Sequence, residues 1–209
     1  MRMVFLLLSL APTLLPTPSF AALAPDKQMA LTEDKVLRGT FIEQHVLDKD
    51  KSPVQMAGHF TVAPAYGLIW AVENPLPTST IVTPDGAVQE IAGMAVKLPA
   101  KNLHSLYAMV KAALAGQWDF LEKDFTINRR ETSTGWTMAL YPKTPNSGLK
   151  GYKSILVQGE TFVNSIVLTK PDGTYDALAF SNGAISALPL TGTEQTSFQK
   201  AQKMYIKTP

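Results

Sequence analysis

The side chains best suited to acid–base or metal chemistry are the three histidines of this chain, His45, His59 and His104. None belongs to an HExxH pattern, and the chain has no cysteine with which a histidine could share a zinc ion. His45 and His59 fall out of phase with the large apolar residues around them, which is typical of solvent-facing strand positions. The sequence therefore predicts no catalytic residue, no metal ligand and no cofactor.

Other catalytic signatures are weak. The Asp-Gly pairs at 85–86 and 172–173 are typical of tight turns. The chain has no GxSxG motif and no glycine-rich phosphate loop. A catalytic set assembled across strands leaves no local pattern, so a lipid hydrolase with one histidine as its base stays open as an alternative. The favoured interpretation is a protein that is not an enzyme.

The charge balance argues against nucleic acid as a partner. The chain has 19 Lys+Arg and 17 Asp+Glu, a formal net charge of +2, and its one adjacent arginine pair is Arg129-Arg130. Binding to DNA or RNA depends on clustered basic residues. We therefore expect no nucleic-acid partner.

Residues 1–21 have the pattern of an export signal. Arg2 gives a positive start, Met3–Leu15 gives an apolar core, and Ala21 is a small residue at the cleavage position. Two prolines interrupt the apolar run, which is shorter than the roughly 20 residues that a membrane helix needs. We expect cleavage after Ala21 and one mature domain over residues 22–209. Without a cysteine to carry a lipid anchor, that domain is expected to be soluble in the periplasm of a Gram-negative bacterium.

Strand patterns dominate the mature chain, and one helical insert interrupts them. A short N-terminal helix is predicted over 26–38, and a tail with weak patterning and a frayed end follows Leu188. The clearest helix is Asn102–Ala115, with a second short piece at Trp118–Lys123. The predicted strands are 39–47, 57–63, 67–73, 79–83, Ala87–Ile91, 124–130, 136–142, 153–158, 161–169 and 174–181. This order favours an α+β fold with helices on one face of a single antiparallel sheet, and a helix-free sandwich is the alternative.

Large apolar residues are predicted to share one face of this sheet, and others line one face of the helix. An apolar sheet face must be buried against something. The candidate cavity residues are Phe41, Phe60, Val62, Leu68, Trp70, Ile81, Met138 and Leu140 of the strands and Leu103, Leu106, Tyr107, Val110 and Leu114 of the helix. Two interpretations stay open: ordinary core packing, or a cavity for an apolar ligand with the helix as its lid.

The order of motifs resembles the LolA family of periplasmic lipoprotein carriers over roughly residues 30–185. WTMALYPK at 136–143 is similar to a later strand of that family. The positions that carry the resemblance are Phe41 with Gln44 nearby, Gly58, Phe60, Leu68, Trp70, Pro75 and Asp85-Gly86. The resemblance implies a half-open antiparallel barrel, helices that close its mouth, and an apolar cavity that receives acyl chains.

The resemblance also implies partners and shows two departures. It implies an acylated lipoprotein or amphiphilic lipid as cargo, an inner-membrane donor, an outer-membrane acceptor and a monomeric carrier. The family arginine that ties the barrel to its lid is missing from 63–66, and the tail does not match the C-terminal strand of the family. Together with the longer insert at 115–125, these departures resemble a divergent branch of the family, and a carrier for a non-lipoprotein lipid or a lipid-linked pigment that works with an exporter is an alternative. A non-enzymatic envelope scaffold with a closed core is a further alternative.

Overall fold

The computed structural model describes residues 31–98, 103–144, 149 and 151–206, with the side chains of 103–108, 120 and 206 left out. Eleven strands and three helices occupy these residues. The strands are β1 Lys35–Val46, β2 Val54–Ala63, β3 Gly67–Asn74, β4 Thr78–Thr83, β5 Gly86–Ile91, β6 Met94–Lys97, β7 Phe125–Glu131, β8 Trp136–Pro142, β9 Ser154–Gly159, β10 Val163–Thr169 and β11 Tyr175–Ala187. The helices are α1 Leu103–Ala115, a 3-10 helix Asp119–Lys123 and α2 Gly192–Ile206.

All eleven strands form one open antiparallel sheet in the order β6-β5-β4-β3-β2-β1-β11-β10-β9-β8-β7. Each strand pairs with its neighbours along the chain, and β1 also pairs with β11 in the middle of the sheet. The two edges are β6 and β7, and α1 with the 3-10 helix lies between them in the chain. The predicted single antiparallel sheet, curved and not closed, is confirmed.

One face of the sheet, which we call the concave face, carries the main core. Strand alternation puts Leu37, Gly39 and Phe41 of β1 on this face. The residues of β2 and β11 that pair with them lie on the same face. The C-terminal part of α1 packs against it, where Val110 and Leu114 are buried. Burying a side chain of this size stabilises the fold by about 1.5–3 kcal/mol.

α1 ends where its sequence predicts. Gly116 has φ 71°, a left-handed conformation that glycine adopts without a Cβ penalty. The N–H of Gln117 donates to the carbonyl of Ala112 at 2.8 Å, and the N–H of Leu31 donates to that of Ala115 at 3.0 Å. These bonds satisfy carbonyls that the last helical turn leaves free.

The opposite, convex face is covered in part by α2. Phe198 and Ala201 of α2 pack on Ile69, Ile81 and Val88 of the sheet. The helix starts with a capping box, because the N–H of Glu194 donates to Thr191 Oγ1 at 3.3 Å and the N–H of Thr191 donates to Glu194 Oε2 at 2.8 Å.

One local prediction is wrong, and two elements of the structure are not among the predicted ones. Residues 35–38 form the start of β1, whereas the sequence predicts a helix over 26–38; residues 26–30 lie outside the described part. The weakly patterned tail contains α2, a helix of 15 residues. The short edge strand β6 was not expected. In each case contacts with distant residues decide the structure: β1 pairs on both sides, and α2 is held by the sheet beneath it.

Candidate functional site

Four aromatic rings cluster on the concave face at the centre of the sheet. Phe41 of β1 stacks on Trp70 of β3, with ring centroids 3.7 Å apart. Phe180 of β11 meets Phe60 and Trp70 edge to face, at 5.6 Å and 6.1 Å. Such pairs contribute about 0.5–1.5 kcal/mol beyond their buried area. The rings form a rigid apolar floor.

Glycine on the concave face makes room for this floor. Gly39 lies opposite Phe60 in the β1–β2 register. A Cβ on Gly39 would lie 2.6 Å from Phe60 Cζ and 2.9 Å from the carbonyl oxygen of Ser181. Phe60 can therefore lie across β1 only because this position has no side chain.

A pocket of about 350 Å³ opens beside this floor. It lies between the middle of the sheet, the β9–β10 turn and the end of α1. Its apolar wall consists of Leu37, Phe60, Leu114, Phe162, Val163 and Phe180. Its other lining residues are Glu160, Thr161, Asn164, Ser181 and Gly183. The pocket thus combines a mostly apolar wall with a few polar groups, which is typical of ligand sites.

Tryptophans connect the segment after α1 to the rim of this pocket. Trp118 and Trp136 are both buried and meet edge to face, with centroids 5.9 Å apart. Trp136 Nε1 donates to the carbonyl oxygen of Glu160 at 2.7 Å. This hydrogen bond from β8 therefore fixes the backbone of the β9–β10 turn.

The other end of the concave face carries a charged network around His45. Its Nδ1 lies 2.8 Å from Asp176 Oδ1 and its Nε2 lies 3.2 Å from Glu43 Oε1. The Tyr152 hydroxyl donates to Asp176 Oδ2, and Lys170 Nζ lies 3.3 Å from the same oxygen. The hydrogen bonds and opposite charges of these groups offset the cost of removing them from water, so polar residues can occupy the end of an otherwise apolar face.

The pKa values in this network follow from its contacts. The hydrogen bond to Glu43, aided by Asp176 and opposed by burial, raises the pKa of His45 to about 9. Burial acts to raise the pKa of Asp176, but the hydrogen bonds from Tyr152 and His45 outweigh it and lower that pKa. Burial and the bond to Asp176 raise the pKa of Tyr152. The imidazolium of His45 donates from both ring nitrogens to carboxylates, so neither nitrogen is placed to take a proton from a nucleophile, as a hydrolase base must.

A second ion pair joins the sheet to α2 on the convex face. Arg38 Nε and Nη2 donate to the two carboxylate oxygens of Glu194 at 2.6 Å and 2.7 Å, and Thr61 Oγ1 donates to Oε1 at 3.0 Å. Burial acts to raise the pKa of Glu194, but the bond from Arg38 and those from Thr191 and Thr61 outweigh it and lower the pKa to about 2. The same bond raises the pKa of Arg38. This forked geometry fixes α2 against β1 and β2.

Comparison with known families decides what kind of protein carries this pocket. A family profile described as "Outer membrane lipoprotein carrier protein LolA-like" matches residues 21–184. The chain belongs to the LolA-like family. Members of this family are generally carriers of lipoproteins or lipids. The match ends before α2, so the helix on the convex face of this LolA-like protein lies outside the matched region.

Two solved structures are similar to this LolA-like chain at low identity. A LolA superfamily protein from Nitrosomonas europaea shares 10% identity at a TM-score of 0.43, with 79% of this chain and 93% of that chain covered. A DUF1329 family protein from Desulfovibrio piger shares 6% identity at a TM-score of 0.40, with 82% of this chain and 92% of that chain covered. No curated protein was found to match the chain. The family assignment rests on the match over residues 21–184.

The structure brings most of the predicted cavity residues together. The nine that share the main core are Phe41, Phe60, Val62, Leu68, Trp70, Val110, Leu114, Met138 and Leu140. Of these, Phe60 and Leu114 line the pocket, while the other seven are core residues that are not among its lining. The side chains of Leu103, Leu106 and Tyr107 lie outside the described residues. That these residues bind a lipid stays a prediction.

Ile81 does not join the others. It lies on the convex face, where it packs with Ile69 and Phe198 under α2. In the register, Ile81 pairs with Ile69 while Val82 pairs with Leu68, so Val82 is the β4 residue on the cavity face. Both residues are apolar and both faces of β4 are buried here, so alternation alone could not distinguish them.

Sequence reasoning missed four wall residues of the pocket, Leu37, Phe162, Val163 and Phe180. Leu37 was assigned to the predicted N-terminal helix, although its spacing from Phe41 fits strand alternation. Phe180 lies opposite Phe41 and therefore on the same face. Phe162 and Val163 belong to the β9–β10 hairpin, which is brought near β1 only because β1 pairs with β11 and β11 pairs with β10.

Within residues 31–98, 103–144, 149 and 151–206, no group of three or more His, Cys, Asp or Glu could hold a metal ion. Within the same ranges, no helix is long and apolar enough to cross a membrane.

Proposed function

We propose that this LolA-like protein is a periplasmic carrier that binds an acyl chain of a lipoprotein or another amphiphilic lipid and delivers it toward the outer membrane. The observation that carries the proposal is the pocket between Phe60, Phe162 and Phe180 of the sheet and Leu114 of α1. The family profile supports the same activity. The export pattern of residues 1–21 supports a periplasmic location.

The size of the pocket suits temporary binding. Each buried CH₂ group of a chain is worth about 0.8 kcal/mol. A volume of about 350 Å³ is near the lower end of ligand pockets, which span about 300–1,000 Å³. The pocket would hold part of a long chain, and deeper entry would require α1 to move away from the sheet. Partial burial keeps the affinity low enough for release to an acceptor.

The test is to fill the pocket without adding charge. Gly183 lines the pocket, and a Cβ there would lie 3.6 Å from Phe162 Cδ2 and 3.8 Å from Leu37 Cδ1, which is ordinary contact. Gly183→Leu should therefore occupy the pocket while the fold is kept. The matched control is Gly192→Leu at the start of α2, where an added Cβ meets nothing within 4 Å. Binding of a fluorescent fatty-acid probe and thermal unfolding by circular dichroism are measured for both.

The carrier proposal expects Gly183→Leu to lose most of the probe binding at an unchanged melting temperature, while Gly192→Leu keeps it. Equal binding by the two folded variants would overturn the proposal. An envelope scaffold with a closed core is the second candidate, because most concave-face residues are fully packed. For a scaffold, the wild-type protein itself should not bind the probe.

A further inference from the structure

The polar part of the described pocket lining contains an acidic residue but no basic one. Glu160 is its acidic member, while Thr161, Asn164 and Ser181 are neutral. Among the described residues that line the pocket, none is lysine, arginine or histidine. A ligand whose apolar chain enters the pocket would leave its polar end close to this carboxylate.

The backbone of Glu160 is held in place by two hydrogen bonds. Its N–H donates to the carbonyl oxygen of Phe162 at 3.0 Å, and its own carbonyl accepts the bond from Trp136. The residue is exposed, and no ion pair involving its carboxylate is found in the described part of the chain. A fixed turn with an exposed carboxylate can offer that charge to a ligand without first breaking another contact.

Two described cations that are close in sequence to lining residues do not themselves line the pocket. Arg38 is next to pocket-lining Leu37 in sequence, but it lies on the convex face and is bound to Glu194. Lys111 precedes Leu114 by one helical turn and is not among the residues that line the pocket. Among the described lining residues, Glu160 is therefore the charged one, and the hydroxyl and amide oxygens beside it can also accept N–H donors.

We propose that the pocket selects amphiphiles whose polar end carries an ammonium group, and that Glu160 is the residue that determines this specificity. The inference rests on the proposed carrier function and names the class of cargo. An ammonium next to Glu160 gains a charge-assisted contact, whereas a carboxylate or phosphate there is repelled. At an exposed rim we expect about a tenfold difference in affinity between the two charge types.

The test uses three ligands with the same 12-carbon chain: dodecylamine, dodecyl glucoside and dodecanoate. Each displaces the fluorescent fatty-acid probe from wild-type protein, Glu160→Gln and Glu160→Lys below the micelle concentration. Wild type should bind the amine about tenfold more tightly than dodecanoate, Glu160→Gln should reduce this ratio to near one, and Glu160→Lys should reverse it. The preference should weaken as salt is added. Glu33→Gln, at an exposed turn before β1, is the matched control and should behave as wild type.

The outcomes separate the two proposals. If wild type binds all three ligands equally, or if Glu160→Gln keeps the wild-type ratio, the headgroup inference is overturned and the carrier function stands. If wild type binds neither the probe nor the neutral glucoside, the carrier function is overturned and the headgroup inference falls with it. Reversal of the preference in Glu160→Lys supports both.

Discussion

The ring of Phe41 stacks on the indole of Trp70 across an intervening strand, with centroids 3.7 Å apart and planes inclined by 19°. The strand between them is β2, and its residue opposite Phe41 is Gly58. Both rings are almost fully buried. The contact therefore connects β1 and β3 directly and stiffens the centre of the sheet next to the pocket.

Loss of this ring should be among the costliest single changes. Phe41→Ala is expected to lower the free energy of unfolding by about 3–5 kcal/mol, because it leaves a cavity and removes the stacked pair. The neighbouring Ile42 points to the convex face and is 45% exposed. Ile42→Ala is the control and should change stability by less than about 1 kcal/mol. Urea unfolding checks both, and similar losses in the two variants would contradict the role of the stack.

The Arg38–Glu194 pair should hold α2 on the sheet. Glu194→Gln keeps the shape of the side chain but loses the charge, and we expect about 1–3 kcal/mol of destabilisation. Hydrogen exchange should rise along α2, while exchange in β7–β11 stays as in wild type. Thr193→Ala, at an exposed position of the same turn, is the control. An unchanged exchange rate in α2 of Glu194→Gln would contradict this, because it would show that the apolar contacts of Phe198 are enough to hold α2 on the sheet.

The same pair predicts a response to acid. Because the folded-state pKa of Glu194 is about 2 and its ordinary value is 4.5, its contribution is fully present above pH 4.5 and is lost as pH falls through 2. The difference in stability between wild type and Glu194→Gln should therefore shrink over this window. Urea unfolding at steps between pH 5 and 2 measures it, and a constant difference would contradict the assignment.

His45 predicts a response at the alkaline side. Its folded-state pKa of about 9 lies above the ordinary 6.5, so its stabilisation is complete below pH 6.5 and is lost as pH rises through 9. Wild type should lose stability over this window, and His45→Gln should show a flatter profile. His59→Gln, whose side chain is 52% exposed, should keep the wild-type profile. Parallel profiles for wild type and His45→Gln would contradict the prediction.

Lys111 should be a position where a neutral residue stabilises the protein. Its ammonium is half-buried on α1, and burial lowers its pKa. Lys111→Met removes the charge and keeps the length of the side chain, so stability at pH 7 should rise by about 0.5–1 kcal/mol. Lys123→Met, at an exposed site of the 3-10 helix, is the control and should change stability little. A loss of stability in Lys111→Met would show that the ammonium has a favourable partner.

Elements with strong local signals could be predicted from the sequence, and those that depend on distant contacts could not. β8 was predicted with its observed bounds, because 136–142 alternates clearly and turns flank it. α2 was missed because its buried side is narrow, with Phe198 as its one large buried apolar residue. The Thr191-x-x-Glu194 capping box was the available signal for it.

The apolar floor could be predicted, but the pocket could not. Phe41, Phe60 and Trp70 follow from alternation within single strands. The pocket also needs Phe162 and Phe180, which reach it only through the pairing of β1 with β11. That pairing joins residues 129 to 152 positions apart along the chain, and a local pattern contains no information about it.

The path of the chain between the two sheet edges has a mechanical consequence. The chain leaves the sheet at one edge, after Lys97, and returns to it at the other, at Phe125. The segment that carries α1 therefore connects the two edge strands of the sheet. Because both of its ends continue into edge strands, a change in the separation of β6 from β7 would act on the segment that carries α1.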